Sequence, residues 1–264
     1  MAGPDLAADP TFATVPDDLI CPAIDILDRG ALRDALAHAI DGAGTGGSER
    51  RKAVVPLLKD AMTKGRAHIA QAFGVAPFEA GPTTRAYAWL SDAVMIEVFT
   101  LATTYLHPLP NPTEAERIAL ITVGGSGRGE MAPHSDVDLL FLVPYKLTPW
   151  AESLIESMLY ILWDLKLKVG HASRTIKDCL RLAGEDYTIR TSLVEERFLI
   201  GDAELAADLT KRLRSELFAS TIPEFIEAKL QERDARHRKQ GGQRYMVEPT
   251  VKEGKAGLRE LQSL

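Results

Sequence analysis

Cysteine is close to absent from this chain: Cys21 and Cys179 are the only two, and they lie far apart in sequence. They form neither a disulfide framework nor a metal-binding spacing, so a reducing cytoplasm is the expected setting. No apolar run approaches the roughly 18 residues of a membrane span. The N-terminus places Asp5 and Asp9 where a secretory leader would carry basic residues, so no signal peptide is expected. A basic excess is missing as well. The 31 Lys and Arg against 37 Asp and Glu leave a net charge of −6, the wrong sign for a general nucleic-acid binder. No internal repeat is visible. What remains is an ordinary globular composition, 45 % apolar and 26 % charged, long enough for one large domain or two modest ones.

The chain divides by pattern. Residues 1–28 are rich in Pro and Asp and read as an arm. Helical patterning at about 30–41 is interrupted by the breaker run Gly42-Ala43-Gly44-Thr45-Gly46-Gly47-Ser48 and resumes from Glu49 to about Phe73. Tyr87, Leu90, Val94, Val98, Leu101 and Tyr105 recur at steps of three and four, which predicts one face of a long amphipathic helix. The stretch His107-Pro108 to Asn111-Pro112 ends it. Two short, apolar, β-branched runs follow, 118–123 and 137–143, and read as buried strands. Thr148-Pro149 opens another helix, and the alternation Leu165-Lys166-Leu167-Lys168-Val169 predicts a third strand. From Gly184 the pattern is helical, broken near Gly201-Asp202 and Gly241-Gly242. The expected architecture is α/β (α+β): a small mixed-sheet core with its preceding long helix at 83–182, N-terminal helices at 1–82 and a helical part at 183–264.

Between the first two strands lies Gly124-Gly125-Ser126-Gly127-Arg128-Gly129-Glu130-Met131-Ala132-Pro133-His134-Ser135-Asp136-Val137-Asp138. Glycines let backbone N–H groups approach a phosphate closely. The run lacks the Gly-Lys-Ser/Thr end of a P-loop, and Pro133 and the aspartates follow where a dinucleotide fingerprint would lead into a helix. Asp136 and Asp138, two apart at a strand start, point the same way about 6.6–6.8 Å apart. Two carboxylates on one face beside a phosphate cradle suit hard divalent cations, which stabilise the attacking and leaving oxygens of a displacement at phosphorus. Arg128 offers a guanidinium to a polyphosphate. The alternative is a surface turn with two solvated aspartates. It is disfavoured because Asp138 shares its strand face with Leu140 and Leu142, where an unpaired carboxylate is costly.

Gly-Gly, a linker and Asp-x-Asp at a strand start resemble the nucleotidyltransferase superfamily typified by DNA polymerase beta. The fuller wording, through His134-Ser135-Asp136-x-Asp138, resembles the N-terminal region of the bifunctional PII uridylyltransferase/uridylyl-removing family. Trp163-Asp164 with Val169-Gly170-His171 and Arg174-Thr175 is similar to a later signature of that family. So are Thr191-Ser192-Leu193-Val194-Glu195 with Arg197, Leu199 and Gly201-Asp202, and Glu248-Pro249 with Val251-Lys252-Glu253-Gly254 and Gly257-Leu258-Arg259. The resemblance covers about residues 83–264. It departs at Ser126, where the family usually has an aromatic residue, and at Ala172, Thr250, Lys255, Ala256 and Glu260.

The resemblance implies transfer of UMP from UTP to a tyrosine of the PII nitrogen-signal protein, with release of pyrophosphate. It implies Mg²⁺ held by Asp136 and Asp138, phosphates held by Gly124, Gly125, Ser126, Arg128 and Ser135, and a third acid, for which Asp164 is the candidate. A C-terminal helix residue paired with a nearby lysine is the competing description of Asp164. Family members continue into an HD hydrolase domain and two ACT domains, whereas this sequence has no His-Asp dipeptide, so a fragment or a short relative with the transferase half is expected. Two other functions stay open: adenylyl transfer to another protein or small hydroxyl compound, and a non-catalytic nucleotide-binding regulator. His134, His171, Glu195, Lys252 and Glu253 are weighed as ligand-facing against incidental or structural roles. Glu130 is read as a structural partner of Arg128 or a cap of the following turn. The basic run Arg233–Lys239 is read as an exposed helix end.

Overall fold

The structure, a computed structural model, describes residues 15–218, 222–239, 251, 257 and 258. The start of the N-terminal arm, the Gly241-Gly242 break, Glu248-Pro249, Lys252 and Glu253 lie outside the described residues.

Four helices come first: α1 (Ala23–Ile26), α2 (Arg29–Asp41), α3 (Gly47–Val75) and α4 (Ala80–Leu101). Asp28 caps α2 by accepting from the Ala31 amide at 2.9 Å, which satisfies an otherwise orphaned N–H. The periodicity of α4 predicts one buried face, but 16 of its 22 residues are buried. It is a central helix, packed against α1, α3, α6 and a strand, and so reads as apolar nearly all round. The one carboxylate buried on it, Glu97, is neutralised from α2. Arg33 Nε donates at 2.9 and 3.0 Å to its two oxygens, and Arg29 Nη2 donates at 2.9 Å. A carboxylate in that position requires such partners, because removing either charge alone leaves the other stranded in low dielectric.

The sheet follows. Its strands are β1 (Ala119–Thr122), β2 (Val137–Val143), β3 (Val169–Thr175) and β4 (Arg197–Gly201), in the order β3-β2-β1-β4. β2 and β3 are parallel; β1 is antiparallel to both β2 and β4. A four-residue turn, α5 (Gly124–Gly127), lies between β1 and β2, and α6 (Pro149–Asp164) crosses from β2 to β3. Thr148 caps α6 with proline at its first position, as the sequence predicts. After β3 come α7 (Ile176–Glu185) and α8 (Tyr187–Val194); α9 (Ala203–Arg212) and α10 (Ile222–Lys239) follow β4.

Strand alternation divides the core in two. Val137, Leu139, Phe141 and Val143 point into a cluster shared with α1–α4 and α6. Leu140 and Leu142, with Ala119 and Ile121 of β1, point into a second cluster under α7, α8 and α9. The sheet is thus covered on both faces, and the period-two pattern of β2 specifies which side chains go to each.

Two strand expectations are corrected. The third strand starts at Val169, so 165–167 is not part of it. That stretch closes α6: Lys166 stands at φ 59, its amide donates to Trp163 O at 2.8 Å, and the Leu167 amide donates to Leu162 O at 3.1 Å. This is the bond pair of a Schellman close. Leu165 and Leu167 are buried by the turn, which mimics strand alternation. The fourth strand, β4, lies where the sequence reads as helical; its five residues sit between two helices and are too short to show a period of their own.

Candidate functional site

The glycine turn leaves β1 at Thr122 and enters the single helical turn Gly124–Gly127 with Gly124 at φ 61. Gly129 closes it at φ 72. These are left-handed conformations that L side chains rarely adopt. The Met131 amide donates to Thr84 O at 3.2 Å, and buried Met131 anchors the loop on α4.

Ser126 does not face outward. It is 3 % exposed; its hydroxyl donates to Val123 O at 3.0 Å and accepts from the Asp138 amide at 3.3 Å. The Val123 amide donates to Asp138 O at 3.1 Å. The serine therefore sews the glycine turn to β2 at the residue that matters most. Ser135 is also occupied locally: its hydroxyl accepts from the Ala132 amide at 2.9 Å and its own amide donates to Ala132 O at 3.1 Å, closing the turn before the aspartates. His134 is exposed in that turn.

Asp136 and Asp138 are both exposed and flank buried Val137. Asp138 stands on the same strand face as Leu140 and Leu142, at the open end of that row. Its carboxylate lies between two glycines. A Cβ on Gly124 would be 3.6 Å from Oδ2, and one on Gly170, its register partner on β3, would be 2.4 Å from Oδ1. The two glycines, having no Cβ, make room for that carboxylate. Exposed hard oxygen donors are the kind that Mg²⁺ accepts while keeping several waters and substrate phosphates, so the acid pair fits that ion in chemistry.

Among the described residues a third acid is not brought to this pair. The β3 neighbours on the Asp138 face are Gly170 and Ala172. Asp164 lies at the end of α6 with its carboxylate 3.4 Å from Arg51 of α3, whose guanidinium also covers the Tyr160 ring at 5.3 Å. Among the described residues no group of three or more His, Cys, Asp or Glu could hold a metal ion. His171 pairs in register with Leu139, not Asp138, so it belongs to the opposite sheet face.

Arg128 is held by two acids. Nε lies 3.3 Å from Glu130 Oε2 and Nη1 lies 2.5 Å from Glu195 Oε1. Nη2 is 3.7 Å from where a Cβ on Gly125 would stand, so the guanidinium leans over the glycine turn. Sequence reasoning missed the clamp behind it. Arg197 Nε donates to Gly127 O at 3.0 Å, Nη2 donates to Ser126 O at 2.8 Å, and Nη1 pairs with Asp92 of α4 at 2.8 Å. Burial pushes the Asp92 carboxyl above its usual range, and Arg197 opposes that shift. The clamp joins residues as far apart as 92 and 197, a separation at which no local pattern signals contact. At the other end of β4, Asp202 caps α9 and pairs with Arg117, which pulls its carboxyl below the usual range.

A family model described as GlnD PII-uridylyltransferase matches residues 224–264. The chain is similar to the bifunctional uridylyltransferase/uridylyl-removing enzyme of Ruegeria pomeroyi, 61 % identical over 233 residues, which is 88 % of this chain and 25 % of that protein. It is 55 % identical to the enzyme of the same description from Cereibacter sphaeroides over 264 residues, all of this chain and 28 % of that one. The Caulobacter vibrioides counterpart is 50 % identical over 242 residues, 90 % of this chain and 25 % of its own length. The chain spans about a quarter of the length of these curated relatives. Among the described residues no helix is long and apolar enough to cross a membrane.

Proposed function

Since the chain is homologous to a region of the bifunctional uridylyltransferase/uridylyl-removing enzymes, we propose that this region is the nucleotidyl-transferring part, moving UMP from UTP to a tyrosine hydroxyl of a PII signal protein in the cytoplasm. The observation that carries the proposal is the placement of Asp138: an exposed carboxylate, closely flanked by Gly124 and Gly170, whose backbone is one hydrogen-bonded step from the glycine turn.

In this proposal Asp136 and Asp138 hold Mg²⁺, which when bound would neutralise triphosphate oxygens and ease the departure of pyrophosphate. Gly124 and Gly125 present backbone to the phosphates without a Cβ in the way. Arg128 supplies a fixed positive charge over the turn. Ser126 contributes by fixing the distance between turn and strand, and Ser135 by shaping the approach to Asp136; in neither case is the hydroxyl the proposed phosphate contact. The tyrosine oxygen forms a bond to the α-phosphorus as the bond to the bridging oxygen of pyrophosphate breaks, and the phenolic proton passes to solvent water. Asp164, engaged by Arg51, is given no part in that step.

A second function has one observation in its favour. With Gly170 and Ala172 beside Asp138 on β3 and no third acid among the described residues, the described part of the site has the donors to bind a nucleotide and shows no base, as a non-catalytic regulator would. Labelled UTP and labelled ATP, each with Mg²⁺ and purified PII, separate the possibilities. Label from UTP on a PII tyrosine supports the transferase; label from ATP alone replaces uridylyl with adenylyl transfer. Tight Mg²⁺-dependent binding with no label on PII supports the regulator.

A further inference from the structure

The sequence puts the phosphate and metal contacts in one local stretch, 124–138, and weighs Glu195 as ligand-facing without giving it a partner. The structure brings against that stretch a remote part: the corner between α8 and β4, residues 195–197. It sits flush on the glycine turn. A Cβ on Gly127 would be 1.8 Å from the Glu195 carbonyl oxygen and 3.1 Å from Thr122 O, so the corner rests on a surface only glycine can present. Arg197 then fastens the corner by donating to the carbonyls of Ser126 and Gly127. From that platform the Glu195 side chain, 16 % exposed, reaches the Arg128 guanidinium at 2.5 Å.

We propose that Glu195 is a positioning residue for triphosphate binding: it fixes the orientation of Arg128 so that the guanidinium meets the β and γ phosphates over Gly125. This rests on the nucleotidyltransferase reading above and adds a residue to it. An arginine side chain has many rotamers to lose, and a planar guanidinium discriminates by the direction of its N–H groups. Two acids take Nε and Nη1, Glu130 on the turn itself and Glu195 on the corner, leaving Nη2 over the turn. Glu130 is half exposed and belongs to the turn's own loop. Glu195 is the more buried anchor, set by backbone contacts that do not depend on its own side chain. Competition is the contrary possibility: two carboxylates on one arginine would repel a triphosphate, and Glu195 would then have to be displaced.

The test is a binding titration of Mg–UTP, with UMP as competitor, on wild type, Glu195→Gln, Glu195→Asp, Arg128→Gln and the double variant Glu195→Gln/Arg128→Gln, with unfolding curves to confirm that each is folded. Glu195→Gln should weaken UTP binding about tenfold, a change equivalent to one orienting interaction, and leave UMP binding unchanged. Glu195→Asp should recover part of the loss. Adding Glu195→Gln to Arg128→Gln should cost nothing further, because the glutamate acts through the arginine. Unchanged or tighter UTP binding in Glu195→Gln, or losses that simply add, would overturn the proposal while leaving the transferase reading intact. UTP binding by wild type that is indifferent to Asp136→Asn and Asp138→Asn would remove both.

Discussion

Asp138 and Gly170 face each other across the parallel pair β2–β3, and a single methyl at 170 would come within 2.4 Å of the Asp138 carboxylate. The clash is with the end of a short side chain, not with backbone. Gly170→Ala should therefore fold and lose function: the carboxylate rotates away, and Mg-dependent UTP binding falls at least about tenfold. Circular dichroism with a nucleotide titration checks this. A variant that binds UTP like wild type would show that the Asp138 rotamer is not what the site needs.

The Arg197 clamp predicts a pH dependence. A carboxyl whose pKa is raised by folding holds its proton more tightly in the native state, so its contribution to stability is present at low pH and lost as pH rises through the folded value. Burial raises Asp92 in this way, and Arg197 limits the rise. Arg197→Leu removes the limit. It should destabilise by about 1–3 kcal/mol near neutral pH, leaving a partly buried charge unpaired, and by clearly less near about pH 4. Asp92→Asn added to it should flatten that difference. Urea unfolding at the two pH values decides the matter; equal losses at both would mean that Asp92 does not carry the effect.

Cys179 is fully buried under α7 and its thiol is pushed up to about 12 by desolvation. Thiolate is the reactive form, so a disulfide reagent at mildly alkaline pH should leave Cys179 unmodified until the chain unfolds. Cys21, partly exposed and also raised, should react first and slowly. Rapid native-state modification of Cys179 would place α7 off the sheet.

How much of this was legible in the sequence follows from distance along the chain. The alternation of β2 announced both core faces and the row on which Asp138 stands, and the glycine turn could be read because phosphate-cradling glycines and the Asp-x-Asp pair lie within 15 residues of one another. Leu165 and Leu167 misled because a helix close buries residues at the same spacing as a strand. β4 was missed, and with it the role of Arg197, which the sequence offered only as part of a signature and which depends on carbonyls some 70 residues away and on Asp92, 105 residues away. The family resemblance implies a phosphate contact for Ser126; only the three-dimensional fold shows its hydroxyl turned inward to β2.

The central claim is that two aspartates on one strand end grip the cation that seats a nucleoside triphosphate on the adjoining turn. Its most direct measurement is UTP affinity with and without Mg²⁺, for wild type and for Asp136→Asn and Asp138→Asn. The account predicts that wild type binds UTP with Mg²⁺ and loses most of that affinity on chelation. Each variant should bind equally weakly in both conditions while unfolding like wild type. Magnesium-dependent UTP binding that survives in both variants would contradict it.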